Sequence, residues 1–532
     1  MFDYVVVGGG AAGCVLASRL SEDAAVRVLL LEAGPRDTNP YIHMPVGFYK
    51  MTGGPLVWPY ATSPQPHADN REIPYAQGHV LGGGSSVNAM VLTRGQPASY
   101  DDWATAGNCP GWSWNDVLPY FRKAEDNDRL SGPYHGVGGP IGVSDLITPT
   151  VLSHAFVRAC QEMGMPYNPD FNGPVQEGCG FYQTNTRRGR RSSTVEYLKL
   201  ARRRSNLTVK TGCLATKIRI ENGRAVGVEY VRGGSKRVYF EPADREVLVS
   251  AGAIGSPKLL MLSGIGPGDE LRKNGIAVVA DRAGVGGNLQ DHYDVDVIYD
   301  LSGPFSLDHY NKPHWMLWAG FEYLLFHKGP VTSNVVEGGA FWHSRPGIAP
   351  DLQFHFLNGA GVEAGIAPVP SGNGCTMNSY YLRPQSRGSV TLRSSDPLAK
   401  PVIDTNYLAE PGDIKASVEG LRVSREIMAQ ASFKPFIKAE HLPGPRVQSQ
   451  ADCEEYARHY GRTSYHPVGT CRMGADADSI VDTDLRVREI AGLRVIDSSV
   501  MPILTTSNTF FPTVMIAEKA SDLIAHGGVT VK

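Results

Sequence analysis

Hydrophobic and polar positions follow two different rhythms along this chain, and its two ends share one of them. Tyr4 to Val7 form an uninterrupted apolar run; Val15, Leu16 and Leu20 then recur at helical spacing; Val26 to Leu31 form a second run that ends on Glu32. Continuous apolar runs mark strands buried on both faces and the 3.6-residue period marks a helix, so a β–α–β unit is predicted. The last forty residues repeat this style, with a run from Leu493 to Ile496 and a helical pattern from Thr513 to Ile524. Between them, residues 207–231 read as short alternating strands with an Asn222-Gly223 hairpin turn. Glu246 to Gly252 reads as a buried strand, and a helix is predicted from Pro257 to Leu262, with Ser256 as its N-cap and Pro257 at its first position. Further helices are predicted near Ser99–Ala106 and Trp114–Lys123. Residues 300–450 differ: alternating stretches such as Leu352 to Phe356 and Ser389 to Arg393 predict antiparallel, half-buried strands. One discontinuous α/β domain with a different domain inserted into it follows from that order.

At 532 residues the chain is long enough for two or three domains. Its 42% hydrophobic and 20% charged residues are those of an ordinary globular enzyme, and a net charge of −2 argues against nucleic-acid binding. The basic runs at Arg187-Arg188-Gly189-Arg190-Arg191 and Arg202-Arg203-Arg204 are local and read as solvated faces. Eight scattered cysteines without a C-x-x-C pair suggest buried free thiols, and neither a metal site nor a disulfide framework. With the first strand starting within five residues of Met1 and no run of membrane-spanning length, a soluble cytoplasmic chain is expected; oligomeric state stays open.

The turn after the first strand carries candidate chemistry. Gly8-Gly9-Gly10-Ala11-Ala12-Gly13 is a G-x-G-x-x-G sequence between strand and helix, with Glu32 at the end of the next strand. In this fingerprint Gly8 allows the tight turn, Gly10 lets the backbone approach a pyrophosphate, and Gly13 lets the helix pack on the strand. Glu32 is placed to accept from a ribose 2′-hydroxyl and would repel a 2′-phosphate. Further glycine- and hydroxyl-rich segments follow: GHVLGGGSSVNAM (78–90), SAGAIGSPKLLMLSGIG (250–266), GVGGNLQDH (284–292), SYHPVGT (464–470), GLRVIDSSVMP (492–502) and Ser507-Asn508-Thr509 before PTVMIAEKASDLI.

These segments, in this order and over essentially the whole chain, resemble the glucose–methanol–choline oxidoreductase family of flavoenzymes. The resemblance implies an FAD-binding domain built on a Rossmann-like βαβ unit and mixed sheet, comprising residues 1–155, 207–298 and 456–532. An inserted α+β substrate-binding domain on an antiparallel sheet would comprise 156–206 and 299–455. Non-covalent FAD is expected to contact Gly8, Gly10, Ala11, Ala12, Gly13, Glu32, Ala33, Gly82, Gly83, Gly84, Ser85, Asn88, Ala89, Ala251, Asp497, Ser498, Asn508 and Thr509. Some relatives attach the flavin through a histidine where this chain has Val87, which cannot form that bond; His79 stands where Arg or Lys is usual. His466 falls on the position of the base that takes the hydroxyl proton while hydride passes to flavin N5, and Asn508 falls on its His-or-Asn partner position. Tyr465 either lines the pocket or packs beside it.

Segments 168–180, 333–342 and 461–467 are most similar to the L-sorbose-oxidising branch of the family, implying oxidation of L-sorbose to L-sorbosone. Asn334, His355, Asn358, Tyr380 and Tyr381 are candidate polyol contacts. Choline, an aromatic or furanic alcohol and pyridoxine are alternative substrates, with Trp315, Trp318, Glu322, Glu337 and Trp342 as a conceivable cation box. The electron acceptor is expected to be external, a quinone or dye in preference to dioxygen. A non-catalytic flavin- or NAD-binding module is the reading from another class.

Overall fold

The computed structural model describes residues 1–235, 237–360, 368–525 and 527. Two sheets organise it. The first orders its strands Leu207–Lys210, Val28–Leu31, Phe2–Val7, Val238–Val249, Arg224–Arg232 and Cys213–Glu221, with Leu493–Val495 also pairing with Val238–Val249. The apolar runs pair in parallel, Val5 opposite Leu29 and Val247, as their burial on both faces requires. The two outer strands turn antiparallel through Asn222-Gly223, whose φ values of 50° and 74° are those of a type I′ hairpin turn. The helices Ala11–Leu20 and Phe510–Ala525 pack together over this sheet, so the two ends of the chain share one core.

The second sheet is antiparallel throughout, in the order Ile437–Leu442, Tyr293–Leu301, Gly374–Tyr381, Leu352–Leu357, Val336–Trp342 and Gly178–Phe181. Helices Val151–Glu162 and Pro411–Met428 pack against it. Leu352–Leu357 is buried along its whole length, not half-buried, because it is a central strand with structure on both faces. Since Tyr293–Leu301 sits inside this sheet, the second segment of the first unit ends before Tyr293 and not at 298. The helix Val151–Glu162 likewise moves the first boundary from 155 to about 150, because its Leu152 and Phe156 belong to the second core.

One local expectation is corrected. The helix expected from Pro257 begins at Gly252, and Pro257 lies inside it. A proline has no N–H for the carbonyl four residues back. Here Ala253 O receives the Thr470 hydroxyl instead, at 2.6 Å, which satisfies the group that Pro257 leaves open.

Candidate active site

The first βαβ turn is shaped by contact. Gly8 has φ of 98°, and a Cβ there would fall 2.3 Å from Ser250 O; a Cβ on Gly13 would fall 1.9 Å from Gly8 O. Only glycine fits either place. Glu32 is buried at the end of its strand, accepting from Gly9 N–H through one carboxylate oxygen and from Gly34 N–H through the other, both at 2.7 Å. Burial pushes its carboxyl up to about 7 against the pull of those donors.

One cavity is lined both by this turn and by His466 and Asn508. The N-terminal ends of three helices open onto it, at Ala11, Gly252 and Phe510. Unpaired N–H groups and positive dipole ends at such points suit a pyrophosphate. Asp497 fixes the middle one: it accepts from Gly252 N–H at 2.9 Å and Ser256 Oγ at 2.5 Å, with Ser499 N–H on its other oxygen. No neighbour lies within 4 Å of a Cβ built on Gly84 or Gly252, so open space faces both backbones.

Of the expected FAD contacts and the residues His466, Asn508, Tyr465 and Asn334, all but Gly13, Gly82 and Asn334 line this cavity. Gly13 sits beneath Gly8, and Gly82 donates its N–H to Gly9 O. Asn334 is buried behind the wall, where its side-chain amide donates to Ala89 O. Tyr465, at φ of 62°, lines the cavity half-buried beside His466.

His466 is held by two consecutive residues that the sequence reading passed over. Asp291 accepts the His466 backbone N–H at 2.8 Å and is itself anchored by the hydroxyls of Tyr75, Thr463 and Tyr407. His292 meets the ring, Nδ1 to Nδ1 at 3.0 Å, and its Nε2 reaches Leu382 O at 3.3 Å. A carbonyl only accepts, so His292 Nε2 carries the hydrogen. Burial pushes His292 well below its ordinary range, so the ring is neutral and its Nδ1 is a bare acceptor. His466 must then donate from Nδ1, which leaves Nε2 unprotonated. Burial lowers His466 to about 3, so it too is neutral.

The unprotonated Nε2 faces Asn508 Nδ2 at 3.2 Å. Asn508 is oriented for this by its oxygen, which accepts from Thr93 Oγ1 at 3.0 Å and Gln353 Nε2 at 3.1 Å. Its backbone N–H also donates to Thr93 Oγ1. The site therefore offers a base lone pair and an amide N–H at one point of the wall. Thr93 lies just after segment 78–90 and His292 ends segment 284–292, while Gln353 lies in a separate strand; no local spacing gives any of them a role at the site.

The chain matches the GMC oxidoreductase description over residues 2–294 and again over 384–517. It belongs to the GMC oxidoreductase family. It is 43% identical to "Alcohol dehydrogenase [acceptor]" of Pseudomonas putida, covering 99% of this chain and 96% of that one. Against the oxygen-dependent choline dehydrogenase of Sinorhizobium fredii it is 42% identical, covering 98% and 95%. Among solved structures it is similar to pyridoxine 4-oxidase from Mesorbium loti, with a TM-score of 0.89, 31% identity and 99% of both chains covered. As a member of this GMC family the chain binds FAD, and the cavity suits it, with three helix N-termini fit for phosphates, the Glu32 carboxylate and the His466–Asn508 pair all in its lining. Val87 lines the cavity with no atom able to bond the flavin.

Proposed function

We propose that this GMC enzyme is an FAD-dependent dehydrogenase of neutral primary alcohols, with His466 as base and Asn508 as the group that holds the substrate oxygen. The observation that carries the proposal is the unprotonated Nε2 of His466 beside Asn508 Nδ2 in the lining of the FAD cavity. FAD, when bound, supplies the two-electron acceptor. His466 Nε2 takes the hydroxyl proton, and the Asn508 amide donates to the oxygen as negative charge develops there. Proton transfer creates a buried imidazolium, and the alkoxide opposite is the charge that makes it tolerable.

Apolar side chains in the cavity lining suit an apolar alcohol: Val91, Val336, Leu357 and Phe510 line it, together with the polar His355 and Asn378, which are cross-strand neighbours, and with Asp294, Arg462 and Ser464. Of the polyol contacts read from sequence, only His355 lines the cavity. Asn358 is bound to Ser153 and Val335, and Asn334 to Ala89. The finer reading, oxidation of L-sorbose to L-sorbosone, rests on likeness in segments 168–180, 333–342 and 461–467; of the first two only Val336 lines the cavity, and the third is the segment that carries His466. A quaternary cation is less well matched. Glu337 is engaged by Ser153, Ser333 and Thr150, and neither Trp315 nor Trp318 lines the cavity. Arg462, paired to Asp296 at 2.9 Å, lines the cavity beside its cross-strand partner Asp294, so opposite charges offset one another on this part of the wall.

Anaerobic rapid mixing with benzyl alcohol, 1-octanol, L-sorbose and choline tests the substrate class. Flavin bleached fastest by the apolar alcohols supports the proposal; L-sorbose or choline reducing it fastest overturns it. Hydrogen peroxide formed at the full rate of alcohol oxidation would make the enzyme an oxidase and overturn the dehydrogenase assignment.

A further inference from the structure

The helix Pro313–Phe326 departs from every other helix in the fold. Only Ala319 and Tyr323 are buried, on a small satellite core with Val331, while Leu317 is 76% exposed, Trp318 59%, Phe321 56%, Leu324 72% and Phe326 64%. Large apolar side chains thus occupy all of its circumference except one narrow stripe. A contiguous patch of this kind marks an interaction surface. With 14 residues the helix is too short to span a bilayer, and no helix among the described residues is long and apolar enough to do so.

The rim decides the occupant. Lys312 and His314 lie at one end of the helix, His327 and Lys328 at the other, all exposed. The hairpin of Arg187 to Arg191 abuts the second end: a Cβ on Gly189 would come within 3.3 Å of His327 O. Its Arg188 and Arg190 are exposed and form no ion pair among the described residues. The helix's one acid, Glu322, folds back against Gly329, where a Cβ would fall 2.3 Å from its carboxylate oxygen. An apolar helix with tryptophans, ringed by cations and with its only carboxylate turned inward, complements a lipid surface bearing negative headgroups.

We propose that the helix Pro313–Phe326 and the Arg188/Arg190 hairpin dock this enzyme onto an anionic bilayer surface, the helix lying in the interface. The site connects to the cavity. Val46 packs on the helix's satellite core, and Phe48 of the same 45–50 turn lines the FAD cavity. Docking places that turn beside the lipid, so an apolar alcohol or a lipid-soluble electron acceptor reaches the cavity from the membrane side. The docking stands whichever alcohol is oxidised.

Vesicle co-sedimentation of the FAD-loaded enzyme tests this, with phosphatidylcholine vesicles containing or lacking phosphatidylglycerol. The expected result is binding to the anionic vesicles that weakens at high salt, and about tenfold or greater loss of binding in Leu317→Gln/Trp318→Gln/Leu324→Gln with FAD content unchanged. Arg188→Glu/Arg190→Glu, which leaves the helix intact, is expected to weaken binding about fivefold or more per charge. No binding by the parent, or equal binding to neutral vesicles, overturns the proposal. So does a parent dimer in light scattering that the triple variant converts to monomer without any vesicle binding, because the face would then join two copies of this chain.

Discussion

His292 Nδ1 lies 3.0 Å from His466 Nδ1, and one backbone carbonyl, Leu382 O, decides which of the two rings carries the hydrogen between them. His292 touches neither the FAD cavity nor Asn508; it is a positioning residue that sets the tautomer of the base. His292→Ala removes the acceptor for His466 Nδ1–H and lets the base hydrogen move to Nε2. We expect flavin reduction to slow by about 10²-fold or more, because a base held in the wrong tautomer cannot take the hydroxyl proton. His292→Asn, whose side-chain oxygen falls near the Nδ1 position, is expected to recover most of that loss. A merely structural role would show no such difference between the two variants at equal FAD content and thermal stability.

Asn508 is a donor that depends on its own holders. Asn508→Ala is expected to lower the rate of flavin reduction by about 10²- to 10³-fold with FAD still bound, as for loss of one oxyanion donor. Gln353→Ala removes one of the two groups that keep the Asn508 oxygen turned away from His466. A smaller loss is expected there, and restoration by Gln353→Asn is not, because the shorter amide does not reach. Rapid-mixing traces of the three variants check this order.

Three buried imidazoles make stability depend on pH. Burial lowers His355 and His466 to about 3 and His292 well below its ordinary value of 6.5. Each is neutral in the fold and takes up a proton on unfolding below about pH 6.5, so the unfolded state binds more protons there. Stability is then full above about pH 6.5 and falls as pH drops toward 3, by up to about 1.4 kcal/mol per pH unit for each group. Urea unfolding at pH 7.5 and 5.5 should show the lower midpoint at 5.5, and replacing His355 with Gln should flatten the difference.

The flavin should leave with acid. Val87 stands on the cavity wall and offers no attachment atom. Acid precipitation is expected to release all of the FAD into the supernatant; a pellet that stays yellow would reveal a bond elsewhere.

What could be read from the sequence was what depends on short spacing. The βαβ turn was legible because its glycines keep a fixed short spacing, with Gly13 packed on Gly8 five positions away, and the Asn222-Gly223 hairpin because both φ values are positive by local chemistry. His466 and Asn508 were legible through the company of their motifs. His292 was not: its partner lies 174 positions away, and its stretch reads as a glycine-rich turn. Strand alternation also hides which face meets the cavity. Val336 lines it while the next residue, Glu337, points to Ser153 and Ser333, and a single-residue step separates the two outcomes. Pro257 resembled a first helical position because the hydroxyl that makes an interior proline acceptable comes from Thr470.

The most direct test of the account is anaerobic rapid mixing of His466→Ala, loaded with FAD, against a primary alcohol that reduces the parent. With the unprotonated nitrogen beside Asn508 removed, flavin reduction is expected to slow by about 10²-fold or more while FAD stays bound. A rate within a few-fold of the parent would contradict the assignment of His466 as the base.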